Sequence, residues 1–100
     1  MKEKLSKVAV IIQPVDNVAT AVREIDRGTE LVNGNTTVSL REPIKMGHKF
    51  ALRDIPSGGE IIKYGEVIGT AISDIEAGAW VHIHNIEGRR GRGDIKKLVN

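Results

Sequence analysis

Residues 55–72 read IPSGGEIIKYGEVIGTAI and join a glycine turn to two β-rich runs. The first part follows the pattern Ile-x-x-Gly-x-x-apolar-apolar, which occurs four times, at residues 25–32, 44–51, 55–62 and 75–82. In the fourth copy His82 replaces the second apolar residue. Each glycine can take the positive φ that ends a tight turn, and the apolar pair then begins a strand. Four such turns predict a mostly β domain built from short strands.

The second part of the stretch predicts a β-hairpin around Gly65 and Glu66. A glycine before Glu66 suits the first central position of a type II′ turn, which we therefore expect at Gly65. A further strand is predicted at TTVSL, residues 36–40, because it follows the turn-forming NGN. Residues 8–12 are predicted to form a first strand.

One segment of the chain has helical spacing. Apolar residues recur there at i, i+3, i+4 and i+7, at Val18, Ala21, Val22 and Ile25. Asp16 is a suitable N-cap and Gly28 a suitable end, so the pattern predicts one short helix in this segment.

Composition limits the class of protein. One hundred residues suffice for one domain, and the single Phe, Trp and Tyr leave an aliphatic core. The charged residues cancel to +2, too small a net charge to indicate nucleic acid or an anionic membrane as partner. The chain has no cysteine, which excludes disulfides and thiolate metal sites and favours the cytoplasm. No apolar run approaches the roughly 20 residues that span a bilayer.

We divide the chain into an N-terminal extension (residues 1–7), a folded domain (residues 8–88) and a basic tail (residues 89–100). Three arginines are interleaved with glycine in this tail, at positions Arg89, Arg90 and Arg92. Guanidinium groups pair with phosphates or carboxylates, and they could also bind RNA. The lack of an aromatic residue for base stacking in the tail argues against RNA.

The stretch VHIHN, residues 81–85, offers the first candidate for chemistry. In a strand, alternate side chains share a face, so His82 and His84 would converge on a common point that can hold an ion. The alternative is that Val81 and Ile83 face the core while both histidines face water.

The remaining histidine, His48, follows the glycine of the second turn, where a side chain is displayed at a strand entrance. Three neutral imidazoles suit Zn, Fe(II), Mn or Ni better than Ca or Mg. Lys49 and Lys63 are candidates for holding a carboxylate or another anion, and Tyr64 for donating a proton. Alternatively, each is a solvated side chain at a strand end. No nucleophile triad, phosphate loop or metalloprotease helix motif occurs.

Taken in order, the pieces DNVATAVREI, PIKMGHKFALRDI, GEIIKYGEVIGTAISDIEAGAWVHIHN and RGRGD resemble one family. They are similar to the N-terminal domain of the altronate and galactarate dehydratases, which is also found as the small subunit of altronate dehydratase and of sulfolactate sulfo-lyase. The resemblance covers about residues 8–94. It implies a mostly β, SAF-type β-clip fold, with short strands, long hairpins and one short helix.

The resemblance also implies a function in a metal-dependent hydroxy-acid lyase, with Fe(II), Mn or Zn as the metal. Residues 89–100 would then lead toward a large catalytic domain or subunit, which completes the site and acts on a sugar acid. A sulfo-lyase small subunit, or a non-catalytic SAF module that binds carbohydrate or protein, is the alternative. A homo-oligomer is a further option, and no membrane is involved.

From the resemblance we take His48, His82 and His84 as active-site residues. Our own hypothesis assigns metal ligation to His82 and His84 and a catalytic acid or base role to His48. Substrate or partner binding falls to the remaining candidates, which are Lys49, Asn85, Arg89, Arg90 and Arg92. We expect negligible activity from the chain alone, because it lacks a carboxylate cluster and enough surface to enclose a sugar acid.

Overall fold

The structure, a computed structural model, describes residues 1–88. These residues form ten short strands and one short helix, which confirms the mostly β prediction. In chain order the elements are β1 (Lys2–Lys4), α1 (Leu5–Val8), β2 (Ala9–Val10), β3 (Val18–Ala21), β4 (Glu30–Asn33), β5 (Thr36–Ser39), β6 (Lys49–Ala51), β7 (Glu60–Lys63), β8 (Glu66–Ala71), β9 (Trp80–Val81) and β10 (Ile86–Gly88). Within this range, no helix is long and apolar enough to cross a membrane.

The strands form three sheets. A central four-stranded sheet has the order β2-β3-β6-β9, and its pairs are all antiparallel. One outer sheet, β1-β4-β5, is built on the β4–β5 hairpin, and the other, β10-β8-β7, on the β7–β8 hairpin. Each hairpin gains one extra strand, β1 parallel to β4 and β10 antiparallel to β8.

The four predicted glycine turns are present and share one geometry. We number them turn 1 (residues 25–28), turn 2 (44–47), turn 3 (55–58) and turn 4 (75–78). Their glycines have φ between 85° and 87°. In each turn the amide after the glycine donates to the carbonyl after the isoleucine, as from His48 to Lys45 in turn 2.

The turns associate in pairs. Ile25 forms a β-bridge with Ile44, and Ile55 forms one with Ile75. Turns 1 and 2 are therefore joined by backbone hydrogen bonds, and so are turns 3 and 4.

Two aliphatic cores flank the central sheet, because strands β3, β6 and β9 alternate their side chains between its faces. The first core contains Phe50 and the second contains Ala51. Members of the first core include Leu5, Val8, Ala19, Ala21, Leu31, Ile44 and Phe50. Members of the second include Val18, Ala51, Ile55, Ile61, Ala71, Ile75 and Val81.

The predicted helix after Asp16 is wrong. Val18–Ala21 is a central strand, and it packs on both faces, since Ala19 and Ala21 enter the first core and Val18 the second. A strand buried on both sides loses the polar alternation that would distinguish it from a helix. Asp16 caps no helix, and its carboxylate instead accepts hydrogen bonds from the amides of a nearby hairpin tip. The only helix among residues 1–88 is the single turn Leu5–Val8.

The hairpin predicted around Gly65 and Glu66 exists, but its turn lies one residue earlier. Lys63 pairs with Glu66, so Tyr64 and Gly65 are the central residues. Both have positive φ, 62° and 73°, as a type I′ turn requires, and the predicted type II′ turn is wrong. The strand predicted at residues 36–40 is confirmed as Thr36–Ser39, whereas only Ala9–Val10 of residues 8–12 is strand.

Residues 1–7, predicted to be an extension, pack on the domain: Lys2–Lys4 pairs with β4, and Leu5 is buried in the first core. The predicted tail, residues 89–100, lies outside the described residues.

Candidate functional site

Strands β6 and β9 bring two histidines together from distant parts of the chain. The antiparallel register pairs Lys49 with Val81 and Phe50 with Trp80. One further step along this register sets His48 opposite His82, at the distance where cross-strand side chains interact. Their ring centroids lie 5.6 Å apart with nearly parallel planes.

The Trp80 indole joins these imidazoles into one cluster. Its ring lies 5.3 Å from His48, 4.9 Å from His82 and 4.9 Å from His84. We call His48, Trp80, His82 and His84 the ring cluster. It therefore includes all three histidines of the chain.

The strand predicted at VHIHN ends at Val81, so the predicted alternation along this stretch is wrong. Residues 82–85 form a turn, because the amides of Asn85 and Ile86 both donate to the His82 carbonyl. Ile83, expected inward in the alternative interpretation, is 79% exposed at this turn. His82 and His84 each lie against the same indole, with ring centroids 4.9 Å from that of Trp80.

Asn85 holds this turn in place. It is buried, its Oδ1 accepts from the His82 amide at 2.9 Å, and its Nδ2 donates to the Trp80 carbonyl at 2.8 Å. Its carboxamide thus fixes the backbone on both sides of Val81. Substrate or partner binding by Asn85 stays a prediction.

A cavity of about 200 Å³ adjoins the ring cluster and is lined by Pro43, Lys45, His48 and Trp80. Turn 2 therefore supplies one wall and β9 the other. Glu42, which precedes turn 2, accepts a hydrogen bond from the Trp80 amide at 2.9 Å and fixes the two walls together. The indole Nε1 is buried without a hydrogen-bond partner among the described residues.

Lys49 lies on the other face of the central sheet. It alternates with Phe50, which belongs to the first core, and is paired with Val81, which belongs to the second. Burial of its ammonium group, and then the positive charge of Lys63, hold the pKa of Lys49 below its usual value. Lys49 and the ring cluster thus do not face the same space.

Asp16 is the other group with a shifted pKa. It is 1% exposed, and its carboxylate accepts from the amides of Gln13, Tyr64 and Gly65 at 2.9 to 3.1 Å. Burial alone would raise the pKa of Asp16, but these hydrogen bonds and nearby Lys63 together lower it below its usual value. Asp16 therefore clamps the tip of the β7–β8 hairpin as a charged group.

Residues 7–89 match the family model described as altronate/galactarate dehydratase SAF domain. The chain belongs to this family. The SAF domain assignment agrees with the mostly β architecture and its short strands.

Three relatives illustrate the range of the family. Altronate dehydratase from Escherichia coli (strain K12) is 51% identical over 74 residues, 74% of this chain and 15% of that protein. Galactarate dehydratase (L-threo-forming) from the same strain is 46% identical over 72 residues, 70% of this chain and 13% of that protein. (2R)-sulfolactate sulfo-lyase subunit alpha from Paracoccus pantotrophus is 38% identical over 58 residues, 58% of this chain and 87% of that subunit.

The SAF domain thus spans a small part of the two dehydratases and most of the sulfo-lyase subunit. These relatives are dehydratases and a lyase subunit, so the chain comes from a family with lyase members. The name of the sulfo-lyase subunit indicates that this relative works in an enzyme of more than one subunit.

The ring cluster offers imidazole nitrogens, which suit Fe(II), Zn or Mn. Within residues 1–88, however, no group of three or more His, Asp or Glu side chains is arranged to hold a metal ion. The described residues therefore do not complete a metal site by themselves. The metal-ligand roles of His82 and His84 stay predictions.

Sequence reasoning missed Trp80, which is central to the cluster. Aligning the four turns could have found it, because Trp80 occupies the slot two residues after the glycine that Glu30, Lys49 and Glu60 occupy in the other copies. The predicted roles of Arg89, Arg90 and Arg92 fall outside the described residues.

Proposed function

We propose that this SAF domain is the small subunit, or the N-terminal domain, of a metal-dependent hydroxy-acid lyase of the altronate/galactarate dehydratase type. The observation that carries the proposal is the ring cluster, in which a chain of this family gathers its three histidines at one end of the central sheet. We also place the enzyme in the cytoplasm, since the chain has no cysteine.

The reaction removes a proton from the carbon next to a carboxylate and expels the β-hydroxyl, which leaves with a proton as water. Removing that proton adds negative charge beside a group that is already negative, and this accounts for much of the barrier. A divalent metal, when bound, would act as a Lewis acid on the substrate oxygens.

Each imidazole then has a proposed role. His48 would move a proton as acid or base, because it lines the cavity of about 200 Å³ beside Trp80. His82 and His84 would contribute metal ligands, with their turn held rigid by Asn85. Such support from neighbouring hydrogen bonds is what orients ligands in metal sites.

A larger companion would complete the site. Ligand pockets usually measure about 300 Å³ or more, and the cavity at the ring cluster, about 200 Å³, is smaller. Residues 1–88 also lack a full ligand group. We therefore expect the chain alone to have negligible activity and to gain it in association with a large catalytic subunit or domain.

A second candidate is the small subunit of a sulfolactate sulfo-lyase, in which sulfite leaves in place of hydroxide. The observation in its favour is length, since the match covers 87% of the Paracoccus pantotrophus subunit alpha. A non-catalytic SAF module that binds carbohydrate or protein is the remaining alternative.

Isolation of the chain from its native cell with its companion tests these options. We expect a large protein to co-purify, and the complex to dehydrate a sugar acid such as altronate or galactarate. Release of sulfite from sulfolactate would select the second candidate. A chain that purifies alone and is inactive on both substrates would favour the non-catalytic module and contradict the proposal.

Variants of the complex test the roles of the histidines. The double variant His82→Ala, His84→Ala should lose bound metal, measured by elemental analysis, together with activity. His48→Ala should keep the metal and lose activity by about 100-fold or more, the usual contribution of a general acid or base. Thr37→Ala, on the exposed side of β5, is the control. Full metal content in the double variant would refute the ligand roles.

A further inference from the structure

The face of the central sheet opposite the ring cluster carries a second group of cations. Lys49 of β6 is paired with Thr20 on one side and Val81 on the other, so its side chain leaves the sheet on the side of the second core. The side chain is partly buried. This position sets it apart from the imidazoles.

The β7–β8 hairpin brings Lys63 and Tyr64 to the same side. Ile61 of β7 enters the second core, and Lys63 lies two residues further along the same strand. The register shift of this hairpin places its extra residue in β8, so alternation along β7 sets Lys63 on the side of Ile61. The ammonium of Lys63 lies 4.9 Å from the centre of the Tyr64 ring.

This hairpin is fastened to the central sheet, so the position of Lys63 is fixed. The Asn17 side chain, next to β3, bonds the Glu60 carbonyl and the Ile62 amide, each at 2.8 Å. At the tip, Tyr64 has a φ of 62°, which is uncommon for a residue with a side chain, and the Asp16 carboxylate accepts from its amide. The exposed Tyr64 ring is therefore presented in one place.

The positive charges of the two lysines interact, since the charge of Lys63 adds to burial in lowering the pKa of Lys49. Within residues 1–88, neither forms a salt bridge with a carboxylate. Asp16, which interacts with Lys63 through its charge, already accepts three amide hydrogen bonds. A partly desolvated pair of cations without a bound carboxylate gains most from an added anion.

We propose that Lys49, Lys63 and Tyr64 form a carboxylate-binding site separate from the ring cluster. The two ammonium groups supply charge, and the Tyr64 hydroxyl can donate one further hydrogen bond. Such a carboxylate has two sources, a free hydroxy acid or an Asp or Glu side chain of the companion protein. The first would make the site a second anchor for a small acid, and the second would make it a docking contact.

Titration of the isolated chain with sodium D-gluconate, followed by amide NMR, tests the first source. Sorbitol is the neutral control for the polyol, and sodium chloride the control for ionic strength. We expect saturable shifts at Lys49, Lys63 and Tyr64 with gluconate alone. Lys49→Met should weaken binding about tenfold, as loss of one charge-assisted hydrogen bond does, whereas Lys7→Met on α1 should not.

Carbodiimide coupling in the native complex tests the second source, because it joins an amine to a carboxylate in direct contact. Peptides that link Lys49 or Lys63 to an acidic residue of the companion would identify the docking contact. The proposal is overturned if neither gluconate shifts nor these linked peptides are found, or if Lys49→Met binds gluconate as the parent does. The NMR arm needs neither metal nor catalysis, so its result is independent of the lyase proposal.

Discussion

Turns 1 and 3 differ from turns 2 and 4 in the pairing of the strands that they begin, although all four have the same backbone geometry. Turns 1 and 3 lead into β4 and β7, and each of these strands pairs with its own returning strand. Turns 2 and 4 lead into β6 and β9, which pair with each other. Strands begun by two copies of the motif pair with each other only in the second case, and the ring cluster lies there.

The repeated turn therefore supplies a scaffold, while chemistry depends on which copies are neighbours. In turns 1 and 3 the strands begin with the exposed acids Glu30 and Glu60. The matching positions after turns 2 and 4 hold Lys49 and Trp80, one for each face of the central sheet. The pairing of β6 with β9 thus contributes to both candidate sites, the ring cluster on one face of the sheet and Lys49 on the other.

The largest expected effect is a difference in the free energy of unfolding between glycine-to-alanine variants of turn 4 and turn 1. A Cβ added at Gly78 would run into the Ser39 carbonyl, whereas one added at Gly28 would meet nothing within 4 Å. Gly28→Ala should therefore lower the free energy of unfolding only by the strain of a positive φ in alanine, about 1–2 kcal/mol. Gly78→Ala should cost more than about 3 kcal/mol, because the backbone must also shift.

Urea unfolding followed by the fluorescence of the single tryptophan, Trp80, measures both changes. Gly58→Ala is a second control, since its added Cβ would also meet nothing within 4 Å. Equal costs at Gly78 and Gly28 would mean that the turns are interchangeable, and the contrast between the two pairs of turns would then have no energetic basis.

A smaller effect distinguishes the two hairpin tips. Asp16→Asn leaves only one acceptor oxygen for the amides of Gln13, Tyr64 and Gly65, so we expect a loss of about 2 kcal/mol at pH 7. Thr36→Ala, at the tip of β4–β5, removes one exposed hydrogen bond and should cost less than about 1 kcal/mol.

The contribution of Asp16 to the free energy of unfolding should decrease at low pH. Because folding lowers its pKa, its contribution is fully present above the unfolded value near 3.8 and is lost as pH falls through the folded value. The difference between parent and Asp16→Asn in urea unfolding should therefore be constant from pH 7 to pH 5 and shrink toward pH 2. A difference that grew on acidification would mean that Asp16 is not charged in the folded chain.

The glycine turns were predictable because each depends on a local pattern, Ile-x-x-Gly, that needs no distant partner. The strand Val18–Ala21 was not, because its neighbours on both faces come from elsewhere in the chain and hide its period. Local spacing alone favoured a helix there.

The site was predictable in part. The histidines were identified as candidates, yet the reason given for their approach, alternation within one strand, does not apply to residues 82–85. Their actual approach depends on the pairing of β6 with β9, and the sequence carries no direct signal of that register. Alternation along β6 places Lys49 and His48 on opposite faces of the central sheet. Sequence analysis made His48 catalytic and Lys49 a candidate for binding substrate or partner.

The smallest expected effect is the change in stability caused by replacing Lys49. Lys49→Met keeps the aliphatic stem but removes an ammonium that is partly buried near Lys63. We expect the variant to be more stable than the parent at pH 7, by less than about 1 kcal/mol because the group is only partly buried and its charge is screened. This corresponds to a rise of a few degrees in the melting temperature, whereas the exposed Lys7→Met should show no gain.

The pH dependence of this stability difference follows from the lowered pKa of Lys49. Below its folded pKa the residue is charged in both states and the cost of burial is complete, and the cost disappears as pH rises past the unfolded value of 10.5. The advantage of Lys49→Met should therefore shrink between pH 7 and pH 10.5. A residue that lowers stability where it stands is commonly kept for binding or catalysis, so a stabilised Lys49→Met that no longer binds gluconate would assign Lys49 to function. Loss of stability in this variant would instead make Lys49 a structural residue of β6.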